Sequence, residues 1–417
     1  MIEKHHLANG VRVIAEHLPH VRSVSLGLWV GAGSRHETKD KNGISHFIEH
    51  MMFKGTEERT ARQIAEAFDE IGGMFNAFTS KEMTCYYAKV LDQHFGKAAS
   101  ILSDMYLHSV FSEEEIEKEK KVVLEEIYMV EDTPDDLVHD LLSTAVMGSH
   151  PLGMPILGTE ETVRSFTRSE LMTYRSERYD GENLVIAVAG HLPTDYLQII
   201  EKFFAVEYPS VDHGPDVTVT YEAGVQVRKK ETEQAHMAFG LPGVSIRDSR
   251  IYASILFSNL LGGNMSSRLF QEIREERGLA YSVFSHHSAY LDGGLFTIYA
   301  GTRPGQEDEV LDVVWHILED IRRRGVNQSE LDKTREQLKG SMILGLESSG
   351  NRMQRLGKNE LLLGSHLSID EIIEKVDAVT EQDIHSLAKS LLSQPMAMAI
   401  VSPNGKVPSS YRRDLFV

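Results

Sequence analysis

The stretch GISHFIEHMMFKGT, residues 43–56, sets two histidines and a glutamate within five positions of an otherwise apolar segment. Its spacing predicts a helix over 43–54. Projected at about 100° per residue, the helix carries two stripes. Ile44, Phe47, Ile48, Met51 and Met52 form a stripe for the core, while His46, Glu49 and His50 share the opposite face with Phe53. A large aromatic among the polar groups predicts a cleft wall there, not open solvent. Two neutral imidazoles one turn apart reach a single zinc ion, with the glutamate beside them placed to take a proton from water. This is the His-x-x-Glu-His order of inverted zinc peptidases. A solvated pair of structural histidines is the competing reading.

A catalytic zinc needs three protein ligands. The chain has one cysteine, Cys85, so neither an intrachain disulfide nor a thiolate cage is available, and the third ligand is expected to be a carboxylate. The acidic segment EEEIEKEKKVVLEEIYMVED, residues 113–132, offers many. Helical phase separates them: Ile116, Val123, Ile127 and Val130 mark a buried stripe, bordered by Glu119 and Glu126. Glu125 lies further round, beside Lys118 and Lys121, where a solvated ion pair satisfies it. A carboxylate against the core must be paired or bind metal. Glu126 and Glu119 are therefore the candidates for a ligand and for a partner of a ligand histidine, the alternative being two partly exposed glutamates on an acidic helix.

Around these segments the sequence alternates groups of strands and groups of helices. Strand patterns at 11–18 and 21–33 are followed by helical patterns at 60–71, 93–108, 112–131 and 136–146, with a hairpin over 75–91 between them. A late strand at 183–192 precedes a helix at Thr194–Phe204. Residues 206–224 are rich in Pro, Gly and Asp without periodicity and read as a linker between a domain over 1–210 and another over 225–417. Past the linker the pattern recurs. Phe75-Asn76-Ala77-Phe78-Thr79 matches Tyr281-Ser282-Val283-Phe284-Ser285, and FSEEEIEKEK matches VNQSELDKTR. The expectation is an α+β chain of two homologous half-domains, each a mainly antiparallel sheet covered by helices on one face.

Composition excludes several function classes. With 41% apolar and 25% charged residues over 417 positions, the chain reads as a soluble globular protein, and a formal charge of −19 argues against nucleic-acid binding. No run of eighteen apolar residues and no basic-apolar leader pattern occur, so neither membrane insertion nor export is expected, and the location is read as cytoplasmic.

At these residues the chain closely resembles the pitrilysin/insulysin superfamily of zinc peptidases, in particular bacterial proteins like the catalytic subunit of mitochondrial processing peptidase. There, His-x-x-Glu-His is followed by a ligand glutamate within E-x-x-V-(I/V)-L-x-E, which EKKVVLEE, Glu119 to Glu126, matches. The resemblance extends over GGMFNAFTSKEMTCYYAKV, HPLGMPILGT, NLVIAVAGH and SSRLFQEIREERGLAYSV, nearly the whole chain. It implies a processing-peptidase-like metallohydrolase fold, Zn2+ held by His46, His50 and Glu126, Glu49 as the base and Glu119 in support. One zinc per chain follows, because the matching second-half segment IYASILFSNLLGG lacks the motif. It further implies that Arg274 and Tyr281 bind the substrate carbonyl across a clamshell chamber, and that Asn76 and Ala77 line the scissile region; Phe53, part of the predicted cleft wall, is a further candidate to contact substrate. Since relatives enclose the chamber with four such domains, a homodimer is expected, with Arg274 and Tyr281 acting in trans on extended peptides, basic ones where acids line the cavity. The short LLGGNMSSRLF segment, at the place of the glycine-rich loop of the mitochondrial partner subunit, favours a homodimer over a heterodimer. A non-catalytic assembly subunit of the same fold is the alternative.

Overall fold

The structure, a computed structural model, describes residues 2–214 and 216–414. Among the described residues, eleven strands form two sheets. The first holds β1 (Ile2–His6), β2 (Arg12–His17), β3 (Ser23–Val30), β4 (Met74–Thr79), β5 (Thr84–Leu91) and β6 (Leu184–Gly190) in the order β1-β2-β6-β3-β5-β4. In the second, β7 (Val225–Lys229), β8 (Ala235–Gly243), β9 (Ala280–Ala289), β10 (Gly294–Thr302) and β11 (Ala397–Ser402) run β7-β11-β8-β10-β9.

The two orders are one topology. In the first sheet β2 and β6 pair in parallel, and β6, β3, β5 and β4 follow in antiparallel steps. In the second, β7 and β11 pair in parallel, and β11, β8, β10 and β9 repeat those steps. Among the described residues, strand β1 is the only addition. Each terminal strand, β4 and β9, carries one of the two matching pentapeptides, so the internal repeat seen in sequence corresponds to topologically equivalent strands.

Both sheets are covered on two faces, where the sequence predicts one. In β3, Val24, Leu26, Leu28 and Val30 pack into a core with Phe47 of the motif helix, whereas the alternate residues Ser25, Gly27 and Trp29 meet the helix Ser349–Leu363. The Trp29 indole donates to Met353 Sδ at 3.4 Å, and a Cβ on Gly357 would fall 2.1 Å from the ring, so glycine is what lets that helix lie flat. The second sheet repeats the arrangement: Met237, Phe239 and Leu241 of β8 enter one core, and Ala238 enters another with Leu142 and Val146 of the helix Pro134–Met147. Central strands flanked on both sides must be apolar throughout, and all seven residues of β6 and all nine of β10 are buried.

These covering helices change the domain reading. The first compact unit comprises the chain up to Ile127, Pro155–Asp216 and Leu344–His366; the second comprises Tyr128–Met154, Val217–Ile343 and the chain from Leu367 onward. Each unit is thus completed by a helix from the sequence of the other half, which a division into 1–210 and 225–417 does not contain. Between Phe204 and Val225 the described residues form neither helix nor strand. No helix among the described residues is long and apolar enough to cross a membrane.

Candidate metal centre

The motif helix spans Ile44–Met51, and its start is fixed by a buried carboxylate. Glu37, 3% exposed, accepts from the Ser45 N–H at 2.9 Å, the Gly43 N–H at 2.7 Å and Asn42 Nδ2 at 3.0 Å. It thereby satisfies donors that a helix leaves open at its first turn and puts negative charge where the helix dipole favours it. Burial pushes the Glu37 carboxyl above its usual range, and these donors oppose the shift. Gly43 sits at φ 92°, and a Cβ there would meet the Leu157 carbonyl at 2.6 Å. Only glycine fits both the turn and the close approach.

All five residues of the predicted apolar stripe are buried. On the other side, Nε2 of His46 and Nε2 of His50 lie 3.2 Å apart, and Glu126 Oε2 is 3.6 Å from the first and 3.5 Å from the second. A tetrahedral ion about 2.0–2.1 Å from each donor requires donor separations of about 3.3–3.4 Å. The three groups therefore fit zinc, and among the described residues they are the His/Cys/Asp/Glu group with metal-binding spacing. His50 Nδ1 faces Glu119 Oε1 at 2.8 Å, so its proton is held there and the Nε2 lone pair points to the other donors. The Nδ1 of His46 is buried without a hydrogen-bond partner, which leaves Nε2 as that ring's working nitrogen.

The helix Glu113–Asp132 supplies both glutamates. Glu119 is 2% exposed and also takes Lys54 Nζ at 2.6 Å, whereas Glu125 faces solvent as its phase predicts. Burial pushes the His46 imidazole down to about 3, reinforced by its neighbour His50, so it is neutral and able to ligate. For His50, burial acts downward but is outweighed by the Glu119 hydrogen bond and the surrounding carboxylates, and the net shift is upward. Glu119 is also buried, yet its bonds to His50 and Lys54 hold it below the ordinary carboxylate range. Burial raises Glu126, partly offset by His50, and raises Glu49. Glu49, Glu119 and Glu126 together make a negative pocket suited to a cation.

Glu49 shares the ligand face of its helix, and its Oε2 accepts from Thr79 Oγ1 at 2.5 Å. Thr79 ends β4, which among the described residues pairs only with β5 and so has a free edge there. Asn76 and Ala77 lie on that strand, and the Ala77 N–H is taken up by Asn76 Oδ1 at 2.8 Å rather than by β5. Phe53, two residues past the end of the helix, stacks on Phe75 at 5.8 Å, partly buried against the core.

Arg274 and Tyr281 belong to the second unit, where they form a pair of their own. The guanidinium lies 4.6 Å from the Tyr281 ring and 4.7 Å from the Phe270 ring, two cation–π contacts that hold it while Tyr281 stays 75% exposed. Tyr281 also lines a cavity of about 690 Å³ with Asp135, Asp136, Glu231 and Glu233, a concentration of acids that net charge alone could not locate. The helix Ile251–Ser258, matched to the motif helix, reads IYASILFS and holds no histidine, aspartate or glutamate, and its Ala253, Leu256 and Phe257 are buried. Sequence reasoning missed Glu37, Lys54 and Thr79. Thr79 was within reach, because period-two alternation puts it on the same face of β4 as Phe75.

Residues 12–160 match the family described as Insulinase (Peptidase family M16), and residues 165–338 match the Peptidase M16 inactive domain. The chain is 50% identical over 410 residues to the "uncharacterized zinc protease YmxG" of Bacillus subtilis, covering 98% of this chain and all of that one. A zinc protease of Streptomyces coelicolor, also described as uncharacterized, is 40% identical over 408 residues, covering 95% of this chain and 88% of its own. A protease from Helicobacter pylori, known as a crystal structure, superposes with a TM-score of 0.90 at 22% identity, over 97% of this chain and 99% of its own, and so shares the fold.

Proposed function

The chain belongs to peptidase family M16, and on that premise we propose that it is a zinc-dependent endopeptidase acting on extended, unfolded peptides. The observation that carries the reading is the trio His46, His50 and Glu126 at tetrahedral spacing, with the carboxylate of Glu49 on the same face. A zinc ion held by that trio supplies Lewis acidity toward water and toward a peptide carbonyl. Glu119 keeps His50 in the tautomer that ligates. Glu49 removes a proton from the attacking water and delivers it to the amine as the C–N bond breaks, so one carboxylate serves both halves of the reaction. The free edge of β4 binds substrate backbone by strand addition around Asn76 and Ala77, with the Asn76 side chain giving way to a substrate carbonyl.

The active species in this proposal is a homodimer with one zinc per chain. Arg274 and Tyr281 of a second copy donate to the oxyanion that forms on the carbonyl. The stacked geometry supports this role: Arg274 is already ordered by two rings, and Tyr281 presents its hydroxyl to solvent. The acids beside Tyr281 support a preference for basic residues in the substrate.

A quenched, unstructured peptide tests the reading. Zinc-loaded protein should cleave it, a chelator should abolish cleavage and added zinc restore it, while Glu49→Gln should bind zinc without turnover. Cleavage that survives both chelation and Glu49→Gln would refute the proposal, and stoichiometric zinc without cleavage would favour a metal-binding protein without turnover. An active monomer in sedimentation would remove the trans role of Arg274 and Tyr281.

A further inference from the structure

We infer that Thr79 is a positioning residue for the general base, and that β4 thereby couples the strand that receives the peptide to the orientation of Glu49. The inference rests on the endopeptidase reading above and extends it to a residue outside the metal and base set.

A glutamate has three side-chain torsions and loses rotamer freedom when held in one arrangement. Nothing in the His-x-x-Glu-His spacing supplies that restraint. Thr79 does: its hydroxyl donates to Glu49 Oε2 at 2.5 Å, the short range of a hydrogen bond to an ionised carboxylate. Thr79 is itself fixed from two directions. Its branched Cβ restricts χ1. Its partner across the β4–β5 ladder is Thr84, whose Oγ1 lies 3.2 Å away and donates to the Ala32 carbonyl at 2.9 Å. With the Thr84 proton committed to Ala32, the proton of Thr79 is the one directed at Glu49.

Alternation along β4 explains why the hydroxyl arrives there. Phe75 and Thr79 share a face, and Phe75 stacks at 4.3 Å on Phe68 and at 5.8 Å on Phe53, so that face looks toward the helices. Phe78 points the other way, edge-on to Trp29. A peptide adding to the free edge of β4 takes its register from the same strand that holds the base. A one-residue slip of that strand would move Thr79 off the helix face and release Glu49. A purely structural threonine would make a different forecast, since its loss would lower stability without separating kcat from KM.

The experiment uses the full-length, zinc-loaded protein with Thr79→Val, which keeps the shape and removes the hydroxyl, and Thr79→Ser, which keeps the hydroxyl. Thr79→Val should lower kcat roughly 10–100-fold while KM stays within about threefold. Its zinc content should remain that of wild type, and its crystal structure should show the Glu49 carboxylate rotated away from its present place. Thr79→Ser should restore kcat to within about threefold of wild type. The inference is overturned if Glu49 keeps its orientation in Thr79→Val, if serine rescues no better than valine, or if lost activity tracks lost zinc. Should Thr79→Val fail to fold, Thr79→Ala carries the same readouts. A wild-type protein that binds zinc and cleaves nothing would defeat the endopeptidase reading instead, and the orientation of Glu49 in the variants would still decide this one.

Discussion

Replacing Glu119 tests how far the proposed metal centre depends on a residue outside its ligand trio. Its two oxygens are both committed, Oε1 to His50 Nδ1 at 2.8 Å and Oε2 to Lys54 Nζ at 2.6 Å, in a position 2% exposed. Glutamine keeps one acceptor and turns an NH2 group toward the other donor. The lysine side chain is 28% exposed and can swing into water, so its share of the loss is small. The imidazole is on a helix, 17% exposed, and has no such escape. A hydrogen bond to a charged group is worth about 1.5–3 kcal/mol against about 0.5–1.5 for a neutral one, a difference of roughly 1–2 kcal/mol. Zinc affinity should therefore fall about 10-fold in Glu119→Gln, and more steeply in Glu119→Ala, which orients nothing. Competition against a chromophoric chelator measures the affinity, and far-UV circular dichroism confirms an unchanged fold. Lys54→Met should cost much less. Zinc affinity within twofold of wild type in both Glu119 variants would refute the reasoning.

Three further outcomes follow from other parts of the structure. Gly43→Ala combines a left-handed backbone with a Cβ 2.6 Å from the Leu157 carbonyl, so it should destabilise the fold by roughly 2–4 kcal/mol, visible as a lowered thermal midpoint. Gly357→Ala drives a Cβ to 2.1 Å from the Trp29 indole and should cost about 1–3 kcal/mol with a shift in tryptophan emission; unchanged emission and stability would show that the helix packs elsewhere. Burial holds His36, His286 and His287 down at about 4, against an ordinary value of about 6.5. Between those limits the unfolded chain binds protons that the folded chain does not, so stability rises with pH and is lost as pH falls from about 6.5 toward 4, by on the order of 3 kcal/mol per histidine at most. Thermal midpoints measured down that range should drop steadily, and a flat profile would contradict the burial of these rings.

What the sequence disclosed and what it withheld have physical reasons. The helix Ile44–Met51 and the helix Glu113–Asp132 were legible because each has one apolar stripe, and phase alone separated Glu119 and Glu126 from Glu125. The duplication was legible at β4 and β9 because the equivalent strands keep aromatic and small residues in step. The helices Ser349–Leu363 and Pro134–Met147, which complete each other's units, were not legible as an exchange, because periodicity says that a helix has a buried face and not which sheet buries it. The end of the motif helix was less legible: the pattern predicts helix to residue 54 and the helix ends at Met51, because helix ends are the least certain feature of a periodic pattern. Glu37 and Thr79 were missed because their partners are backbone N–H groups and a side chain that only the folded chain brings near.

The central claim, that one chain builds one hydrolytic zinc centre from His46, His50 and Glu126, is tested most directly by anomalous scattering at the zinc edge from crystals of the zinc-loaded protein. The account predicts a single strong peak per chain, about 2.0–2.2 Å from Nε2 of His46, Nε2 of His50 and a carboxylate oxygen of Glu126. A peak at the δ nitrogens, a peak on other residues, or no peak at full zinc loading would contradict it.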